Sequence, residues 1–452
     1  MLPEKFEARM KKLLGDSYAG FHRELTEGSA VRGFRINSLK CRENTDVDLP
    51  ALPLSYVRGG YILTEDCPGL GNTPLHQAGM IYIQDPGAMA SAAALDIRPG
   101  MWIADLCAAP GGKSTQAAAL LENDGFILSN EYVPKRAKIL VSNFERMGIG
   151  CGMVTSLDTK DIARLFDSVF DAVIADAPCS GEGMFRKDVP AIEEWSEENV
   201  HACRARQITI LNNAATLVKR GGKLLYSTCT YSIEENESVV DEFLDTHPDY
   251  RLIDVNDELK KVTSDGIAFE AAKSTELHKC RRFYPHVAPG EGQFLALLER
   301  TDAPEGRILY KEAVRPPSKE QAKIIDSFLR DNMTRIPEGR IIMQGDMAVL
   351  IPHTCPIIPR GVFLSGVLIG EIRGKNLFPA HQLFSVCGRD FIRQELLSDA
   401  AAAKYLAGEE IPVSGFDGSG YCALIYRDAP LGGGKASGGI IKNHYPKGLR
   451  VR

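Results

Sequence analysis

The chain lacks the features that would place it in a membrane or outside the cell. In its 452 residues there is no run of about 18 consecutive apolar residues, so no transmembrane helix is predicted. The first residues are charged and lack the apolar stretch of a secretory signal. The 11 cysteines are odd in number and include no CxxC pair, which argues against a disulfide framework and a cysteine-rich zinc module. We therefore expect a cytoplasmic protein that binds neither a membrane nor a metal.

The chain is slightly acidic overall, but three of its segments carry only basic charges. The net charge is −6, and hydrophobic and charged residues make up 44% and 25% of the chain, as in ordinary globular proteins. Residues 199–233, 277–290 and 435–452 contain basic residues and no acidic one. The basic residues are Arg204, Arg206, Lys219, Arg220 and Lys223, then Lys279, Arg281 and Arg282, then Lys435, Lys442, Lys447, Arg450 and Arg452. Such segments can bind a nucleic-acid backbone or form ordinary solvated surfaces, and composition does not decide between the two.

From about residue 100 the sequence alternates between short apolar runs and amphipathic segments. Strands are predicted over residues 101–107, 125–131, 170–176, 223–228 and 293–299. Helices are predicted over residues 113–122, 134–147, 201–219 and 233–246, the third ending at Gly221 and Gly222. This alternation gives a mostly parallel sheet covered by helices, so the predicted fold class is α/β.

Changes in composition divide the chain into four parts. Residues 1–75 combine a helical start with short strands and turns, and residues 76–300 form the α/β core. Residues 301–375 begin with a polar, proline-containing linker and continue as a small α/β module. Residues 376–452 are predicted to be a last domain, with a glycine-rich segment and a basic tail.

The most specific motif follows the first core strand. Residues 105–114 read DLCAAPGGKS and join a strand to a helix, at the sheet edge where open α/β sheets bind ligands. Small residues let a ligand approach the backbone closely. The motif matches neither GxGxxG nor GxxxxGK[ST], so neither a dinucleotide nor a nucleoside triphosphate is expected first, and an ordinary strand–turn–helix loop is the alternative. The cofactor-binding candidates in it are Cys107, Ala108, Ala109, Pro110, Gly111, Gly112 and Lys113.

Acidic residues follow the next two strands. Glu131 ends the second strand, where an acid can accept hydrogen bonds from both hydroxyls of a ribose. This arrangement fits a cofactor with an adenosine and no phosphate, such as S-adenosylmethionine (SAM). A further strand, the third of the core, is expected between the strands at 125–131 and 170–176, and Asp158 follows it. The adenine edge would lie there, although a helix N-cap is an equally good interpretation of Asp158. Arg136, in the helix after Glu131, is a further cofactor-binding candidate.

Two cysteines lie at the ends of the fourth and fifth strands, in the segments DAPCSG and STCTYS. Structural cysteines normally pack inside a core, so Cys179 and Cys229 at ligand-binding strand ends together favour nucleophilic chemistry. Asp176, three residues before Cys179, is a candidate for contact with the reacting group. The residues alone do not decide which sulfur would be the nucleophile.

These motifs, in this order, resemble those of the Nop2/Sun (NSUN) family of RNA 5-methylcytosine methyltransferases. They read DLCAAPGGKS, NEYVPKRAKIL, DAPCSGEGMFRKD and STCTYSIEENE, followed by RFYPH and GEGQF, and the resemblance covers about residues 30–300. Further along, FPAH, LGGGK and KNHYP resemble the C-terminal half of the bacterial RsmF-type enzymes. Those enzymes modify cytosine in small-subunit rRNA and end in a PUA-like RNA-binding domain.

The resemblance implies a SAM-dependent RNA cytosine-C5 methyltransferase with a Rossmann-like core whose last strand is reversed. It assigns the covalent nucleophile to Cys229, product release to Cys179, and contact with the cytosine to Asp176, which would also line the cofactor site. It further implies RNA binding by residues 1–75 and a PUA-like RNA-binding domain over residues 376–452. A covalent route suits this reaction, because thiolate addition at C6 makes the poorly nucleophilic C5 enamine-like.

The expected partner is small-subunit (16S) rRNA, free or within the 30S subunit. Methylation of tRNA is one alternative, and a non-catalytic RNA-binding assembly factor is another, although the intact motifs weigh against it. Methylation of an exocyclic amine is disfavoured, because such sites resemble (D/N)PP(Y/F) rather than DAPC. The target base must leave its stack. Side chains that could assist, or could equally be core and surface residues, are Phe185, Arg186, Lys187, Arg282 and His286.

Overall fold

The N-terminal part is a helical hairpin followed by a small antiparallel sheet. The computed structural model describes residues 2–42, 45, 47–312 and 314–451. The first helices are α1 (Glu4–Leu14), α2 (Tyr18–Thr26) and the short α3 (Pro74–Gln77). The first strands are β1 (Gly33–Ile36), β2 (Ala51–Pro53), β3 (Gly60–Leu63) and β4 (Ile81–Ile83). The strands pair antiparallel in the order β2-β3-β1-β4.

A ten-stranded mixed sheet forms the centre of the molecule. Its strands from the core are β5 (Trp102–Asp105), β6 (Phe126–Asn130), β7 (Gly152–Thr155), β9 (Phe170–Asp176), β10 (Val218–Thr228), β11 (Tyr250–Leu252), β12 (Ser264–Asp265), β13 (Arg281–Phe283) and β14 (Gln293–Arg300), while the two-residue β8 (Phe166–Asp167) lies outside it. The neighbours β10, β9, β5, β6 and β7 run parallel, whereas β14 runs antiparallel to β10. The α/β class and the reversed last strand are therefore confirmed.

Helices connect the core strands along the chain. They are α4 (Pro86–Ala93), α5 (Gly112–Leu120), α6 (Pro134–Met147), α7 (Thr159–Ala163), α8 (Val189–Glu193), α9 (Glu197–Ala215), α10 (Glu237–Thr246) and α11 (Asp257–Lys261). The sequence of α6 shows why such a helix forms: Leu140, Phe144 and Met147 recur at intervals of three and four and are buried. Gly148, with φ of +73°, then ends the helix in the left-handed conformation that glycine adopts freely.

Two predicted helices have different limits in the structure. α9 begins and ends four residues earlier than predicted, because the Ser196 side chain caps its N-terminus by accepting a hydrogen bond from the Asn199 N–H. Gly221 and Gly222 do not end this helix. They lie inside β10, where the pairing with β9 is shifted, and Gly221 has φ of +73°. α10 starts at Glu237 rather than at residue 233, and residues 233–236 form a turn.

The segment after the core adds strands to the core itself. Its elements are β15 (Arg307–Ile308), α12 (Lys319–Asn332), β16 (Arg340–Gln344), β17 (Met347–Ile351), β18 (Val362–Ser365), β19 (Val367–Arg373), β20 (Asn376–Pro379) and α13 (His381–Cys387). β18 pairs antiparallel with β7 at the edge of the ten-stranded sheet, and β15 pairs with β8. The remaining strands form a separate sheet in the order β16-β17-β19-β20. This segment is thus joined to the core by backbone hydrogen bonds.

A five-stranded sheet completes the chain. Its elements are β21 (Gln394–Leu397), α14 (Asp399–Ala407), β22 (Ile411–Pro412), β23 (Gly420–Tyr426), β24 (Ala429–Ser437) and β25 (Ile440–Asn443), with the strand order β21-β23-β24-β25-β22. The division predicted between residues 375 and 376 falls within the hairpin of β19 and β20. A division before β21 agrees better with the strand pairing, and the domain limits stay a prediction.

Lys40 connects the N-terminal part to the C-terminal half. Its buried ammonium donates to the Ser385 carbonyl, to Ser385 Oγ at 2.9 Å and to the Pro430 carbonyl at 2.9 Å. Burial lowers the pKa of Lys40, but three acceptors match the three N–H donors of a charged ammonium. The contact holds residues far apart in the sequence in one arrangement.

Candidate functional site

The loop after β5 turns sharply into the start of α5. Gly111 has φ of +118°, and a Cβ at this position would lie 2.9 Å from Cδ1 of Leu140, so a larger residue would not fit. Cys107 and Ala109 line an open cleft beside the loop. The other predicted cofactor-binding residues of the motif, Ala108, Pro110, Gly111, Gly112 and Lys113, follow within the same loop and the first turn of α5.

Arg35 in β1 supports this loop from the N-terminal sheet. The side chain is buried and donates to Oε1 of Gln84 at 2.7 Å, to the Gly112 carbonyl at 2.9 Å and to Oγ1 of Thr115 at 2.9 Å. Burial lowers the pKa of Arg35 to about 10. This role could not be predicted from the sequence, because an isolated arginine in a short strand is typical of a surface residue.

A buried carboxyl group lies at the end of β5. Asp105 is 1% exposed, and its Oδ2 accepts a hydrogen bond from Oγ of Ser114 at 2.6 Å. Its Oδ1 is buried and has no hydrogen-bond partner among the described residues. Burial raises the pKa of Asp105 to about 7. An unpaired carboxyl oxygen of this kind fits a ligand that carries an N–H donor, such as the ammonium group of an amino acid.

Glu131 lies on the opposite side of the loop, at the end of β6. It is 4% exposed, its Oε1 accepts the Val133 N–H at 2.9 Å, and its Oε2 lies 3.2 Å from Nη1 of Arg136. Arg136 also donates to the Ala109 carbonyl at 2.8 Å and so links Glu131 to the loop. Asp158 caps α7 by accepting the Lys160 N–H at 2.9 Å. It also lines the cleft, so both interpretations of this residue describe its position.

The cleft has a volume of about 700 Å³, within the range of small-molecule sites. It brings together residues from the ends of β5, β6, β9 and β10, as the order of the parallel strands requires. The predicted residues among its lining are Cys107, Ala109, Glu131, Arg136, Asp158, Asp176, Cys179 and Cys229. Tyr132 and Arg206 also line it and were not singled out individually as site residues. Tyr132 could have been found from its place directly after Glu131.

Asp176 and Lys113 form an ion pair at the floor of the site. Lys113 Nζ lies 2.6 Å from Oδ2 of Asp176, and Ser227 Oγ donates to Oδ1 at 2.6 Å. Burial alone would lower the pKa of Lys113, but the neighbouring carboxylate outweighs it and raises that pKa. Lys113 thus holds the carboxylate of Asp176, at the end of the neighbouring strand β9, in a fixed orientation.

The two predicted cysteines face each other. Cys179 follows β9 and Cys229 follows β10, and their sulfur atoms lie 3.3 Å apart. A hydrogen bond to the Cys229 sulfur and then burial raise the pKa of Cys179 well above its usual value. Either sulfur can be the donor in the hydrogen bond between them. All 11 cysteines of the chain are free thiols.

Two side chains considered for extrusion of the base belong to the core. Arg282 is 2% exposed and donates from Nε to Oε1 of Glu237 at 2.6 Å. Phe185 is 4% exposed and packs edge-on against Phe6, with ring centroids 5.0 Å apart. The expectation that these two residues could assist is wrong, because their side chains are already enclosed by the protein.

The neighbouring candidates are also engaged within the protein. Arg186 and Lys187 both bind Glu291, at 2.6 Å and 3.0 Å respectively. His286 packs against the ring of Phe21, with centroids 5.9 Å apart. The first two contacts join the segment after Cys179 to Glu291, the third joins His286 to the helical hairpin, and Lys187 stays exposed.

Most cations of the first two basic segments form salt bridges, whereas the described cations of the tail form none. Arg204, Lys219, Lys279 and Arg281 form salt bridges with acidic residues elsewhere in the sequence or one turn away. In the part of the chain that the structure describes, no salt bridge involves the tail residues, namely Lys435, Lys442, Lys447 and Arg450. The first three of these are exposed, and Arg452 lies outside the described residues. The tail is thus the segment best suited to binding phosphate.

In the described ranges, no helix combines the length and the apolar character needed to cross a bilayer. The same ranges contain no group of three or more His, Cys, Asp or Glu side chains placed to hold a metal ion.

Three family models match consecutive parts of the chain. The N-terminal domain of 16S rRNA methyltransferase RsmF matches residues 2–86, the 16S rRNA methyltransferase RsmB/F family matches residues 92–299, and the methyltransferase RsmF PUA domain matches residues 396–451. The match over residues 92–299 contains every predicted site residue.

Curated relatives and solved structures are also similar. Ribosomal RNA small subunit methyltransferase F of Shewanella baltica (strain OS223) is 30% identical over 92% of this chain and 90% of its own length. The protein of the same name from Vibrio cholerae serotype O1 (strain M66-2) is 29% identical over 99% of this chain and 97% of its own. A methyltransferase homologue from Pyrococcus horikoshii has a TM-score of 0.58 and 28% identity, covering 66% of this chain and 95% of that one. NSun6 from the same organism, determined with SFG, shares the fold at a TM-score of 0.57 and 21% identity, covering 66% of this chain and 98% of that one.

Proposed function

Because this chain belongs to the ribosomal RNA small subunit methyltransferase F (RsmF) family and is an RNA methyltransferase, we propose that it methylates C5 of a cytosine in 16S rRNA. The methyl donor is SAM, and the reaction passes through a covalent bond between Cys229 and C6 of the base. The single observation that carries this proposal is the pair of cysteine sulfurs, 3.3 Å apart, beside Asp176 in the cleft.

The positions of these groups support the following proposed order of bond changes. The Cys229 thiolate adds to C6, and the electrons of the C5–C6 double bond make C5 nucleophilic. SAM supplies the methyl group as an electrophile. A base such as a water molecule accepts the C5 proton, the C6–sulfur bond breaks, and the double bond is restored as Cys229 leaves as a thiolate. Cys179 is assigned to this elimination because its sulfur lies 3.3 Å from the sulfur that leaves.

Asp176 is assigned to the base. A carboxyl group beside N3 of the cytosine makes C6 more electrophilic, and Asp176 lies at the end of the strand next to the one that carries Cys229. Its contacts with Lys113 and Ser227 hold the carboxylate in place before the base arrives. This fixed orientation removes part of the cost of arranging the site during the reaction.

The cofactor is assigned to the other half of the cleft. Glu131 accepts hydrogen bonds from the ribose hydroxyls, Asp158 lies near the adenine, and residues 107–113 contact the amino-acid part. The unpaired Oδ1 of Asp105 supports this direction, because the α-ammonium of SAM is a cation that could bind it. Arg136 orients Glu131 and the loop together.

The proposed partner is 16S rRNA, bound in part by the C-terminal domain. Exposed lysines of the tail, which form no salt bridge with the described residues, support contacts with phosphates, which position an RNA without reading its bases. The names of the relatives favour rRNA over tRNA.

Bisulfite sequencing of 16S rRNA and tRNA from a strain lacking this protein tests the proposal. We expect one cytosine of 16S rRNA to lose its protection, and we expect a plasmid with the intact gene, but not with Cys229→Ala, to restore it. Loss of protection in tRNA alone would make tRNA the substrate. Unchanged protection in both RNAs would contradict cytosine-C5 methylation.

A further inference from the structure

A buried acid lies between the two cysteine-bearing loops. Glu235 is fully enclosed, and its Oε2 accepts the Ser180 N–H at 2.9 Å and Nε2 of Gln207 at 3.0 Å. Its Oε1 forms a hydrogen bond with the Ser180 hydroxyl. Ser180 directly follows Cys179, so this carboxyl group fixes the backbone and the side chain next to one of the two sulfurs.

The same contacts extend to the other cysteine. Oγ of Ser180 lies 3.0 Å from Oγ1 of Thr230, which directly follows Cys229. Gln207 binds the Pro178 carbonyl at 3.0 Å and so holds the first loop on its other side. Glu235 therefore ties both loops together without touching either sulfur. A shift of either loop would change the distance of 3.3 Å between the sulfurs.

The surroundings of Glu235 raise its pKa. In the described part of the chain no salt bridge involves it. The titratable groups around it are Glu182, Cys179 on its neighbouring loop, Cys203 on α9 and Tyr226 on β10, none of which is a cation. Burial raises the pKa of Glu235 to about 7.

The carboxyl group orders the neighbouring hydroxyl groups in one direction. The Ser180 hydroxyl donates to Oε1, the Ser180 N–H and Gln207 donate to Oε2, and the Thr230 hydroxyl can then donate to the Ser180 oxygen. A glutamine amide keeps one acceptor oxygen for the Ser180 N–H and Gln207, and its NH2 group can donate to the Ser180 hydroxyl. A methionine is similar in length and has neither.

We propose that Glu235 is a positioning residue whose hydrogen bonds hold the sulfurs of Cys179 and Cys229 at their reactive separation. The assignment of those sulfurs to catalysis rests on the proposed function, whereas the positioning itself does not. Glu235 makes no contact with substrate, and it acts only through Ser180, Gln207 and Thr230.

The variants Glu235→Gln and Glu235→Met test this proposal with the full-length protein. In steady-state methylation assays we expect Glu235→Gln to keep most of kcat. We expect Glu235→Met to lose at least about tenfold in kcat, because small displacements of reacting groups are that costly. The SAM dissociation constant and the KM for RNA should stay close to wild type in both variants, and thermal melting should show that both are folded.

Alkylation by iodoacetamide, followed site by site with mass spectrometry across pH, gives a second measurement that needs no enzymatic activity. In the wild type and in Glu235→Gln, Cys229 should react faster than Cys179, because the hydrogen bond to Cys229 and burial raise the pKa of Cys179. In Glu235→Met the difference between the two rates should shrink. Inactivity of the wild type would defeat the proposed function but leave this test intact.

Two outcomes would overturn the inference. If Glu235→Met matched Glu235→Gln in kcat and in both alkylation rates, Glu235 would not position the sulfurs. If Glu235→Gln were as damaged as Glu235→Met in kcat and in both alkylation rates, hydrogen bonding at this position would not be what positions the sulfurs.

Discussion

Replacement of Glu131 by alanine should weaken SAM binding by an amount that the structure lets us estimate. The carboxylate is 4% exposed, and Val133 and Arg136 hold it in a single orientation, so it meets a ribose with little further ordering. A hydrogen bond to a charged group contributes roughly 1.5–3 kcal/mol. Loss of at least one such bond corresponds to an increase of roughly 10- to 150-fold in the SAM dissociation constant.

Isothermal titration calorimetry with SAM measures this change directly. Glu131→Gln is the first comparison, because its amide oxygen can still accept one hydrogen bond, and we expect an intermediate loss. Glu338→Ala is the matched control, because this glutamate is exposed and outside the cleft, and SAM affinity should not change. If Glu131→Ala were folded and bound SAM as tightly as the wild type, the assignment of the ribose to Glu131 would be refuted.

Three further predictions concern the rest of the chain. Lys40→Ala should lower the free energy of unfolding by at least about 2 kcal/mol in denaturant titrations, because it leaves buried acceptors unpaired, and an unchanged transition would show that the contact contributes nothing. Changing Lys435, Lys442 and Lys447 together to glutamine should weaken binding of 16S rRNA and leave SAM affinity untouched. The slope of log affinity against log salt concentration should decrease by roughly 0.7 per lost phosphate contact. An unaltered slope would assign the tail another role. Since burial raises the pKa of Glu235 from 4.5 to about 7, the folded state binds more protons than the unfolded state between these values, so the contribution of Glu235 to stability falls as pH rises through that window. Unfolding measured across the window should depend less on pH in Glu235→Gln than in the wild type, and equal dependence would contradict this shift.

The sequence was informative wherever chain order determines position. The carboxyl ends of parallel strands meet at one edge of a sheet, so recognition of β5, β6, β9 and β10 was enough to expect Glu131, Asp176, Cys179 and Cys229 in one cleft. The α/β class followed from the same alternation. The roles of these residues stay predictions, because position alone does not assign chemistry.

Contacts between distant segments could not be predicted from the sequence. Arg35 binds a carbonyl 77 residues away, Ser180 binds Glu235 across 55 residues, and Lys40 binds Ser385 across 345. Each of these polar residues has an ordinary local setting, and only the folded chain shows that it is buried. For Arg282 the difference is the opposite one. Its basic segment suggested a role at the RNA, whereas the side chain is buried in the core and paired with Glu237.

The limits of the helices show a related restriction. Gly221 and Gly222 are typical of a helix end, yet they form an irregular stretch of β10. Glycine is favoured wherever the backbone has a positive φ, and such a backbone occurs both at helix ends and at strand irregularities.

The most direct test of the central claim is the search for a covalent protein–RNA adduct in the two cysteine variants. Substrate RNA and SAM are incubated with Cys179→Ala, with Cys229→Ala and with the control Cys67→Ala, and the products are separated on denaturing gels; retained SAM binding confirms that each variant is folded. We predict that Cys179→Ala accumulates an adduct, because the bond to C6 forms but elimination stalls. Cys229→Ala should form no adduct and transfer no methyl group, and Cys67→Ala should behave like the wild type. An adduct in Cys229→Ala and none in Cys179→Ala would reverse the two roles, and full activity in both variants would contradict the covalent mechanism itself.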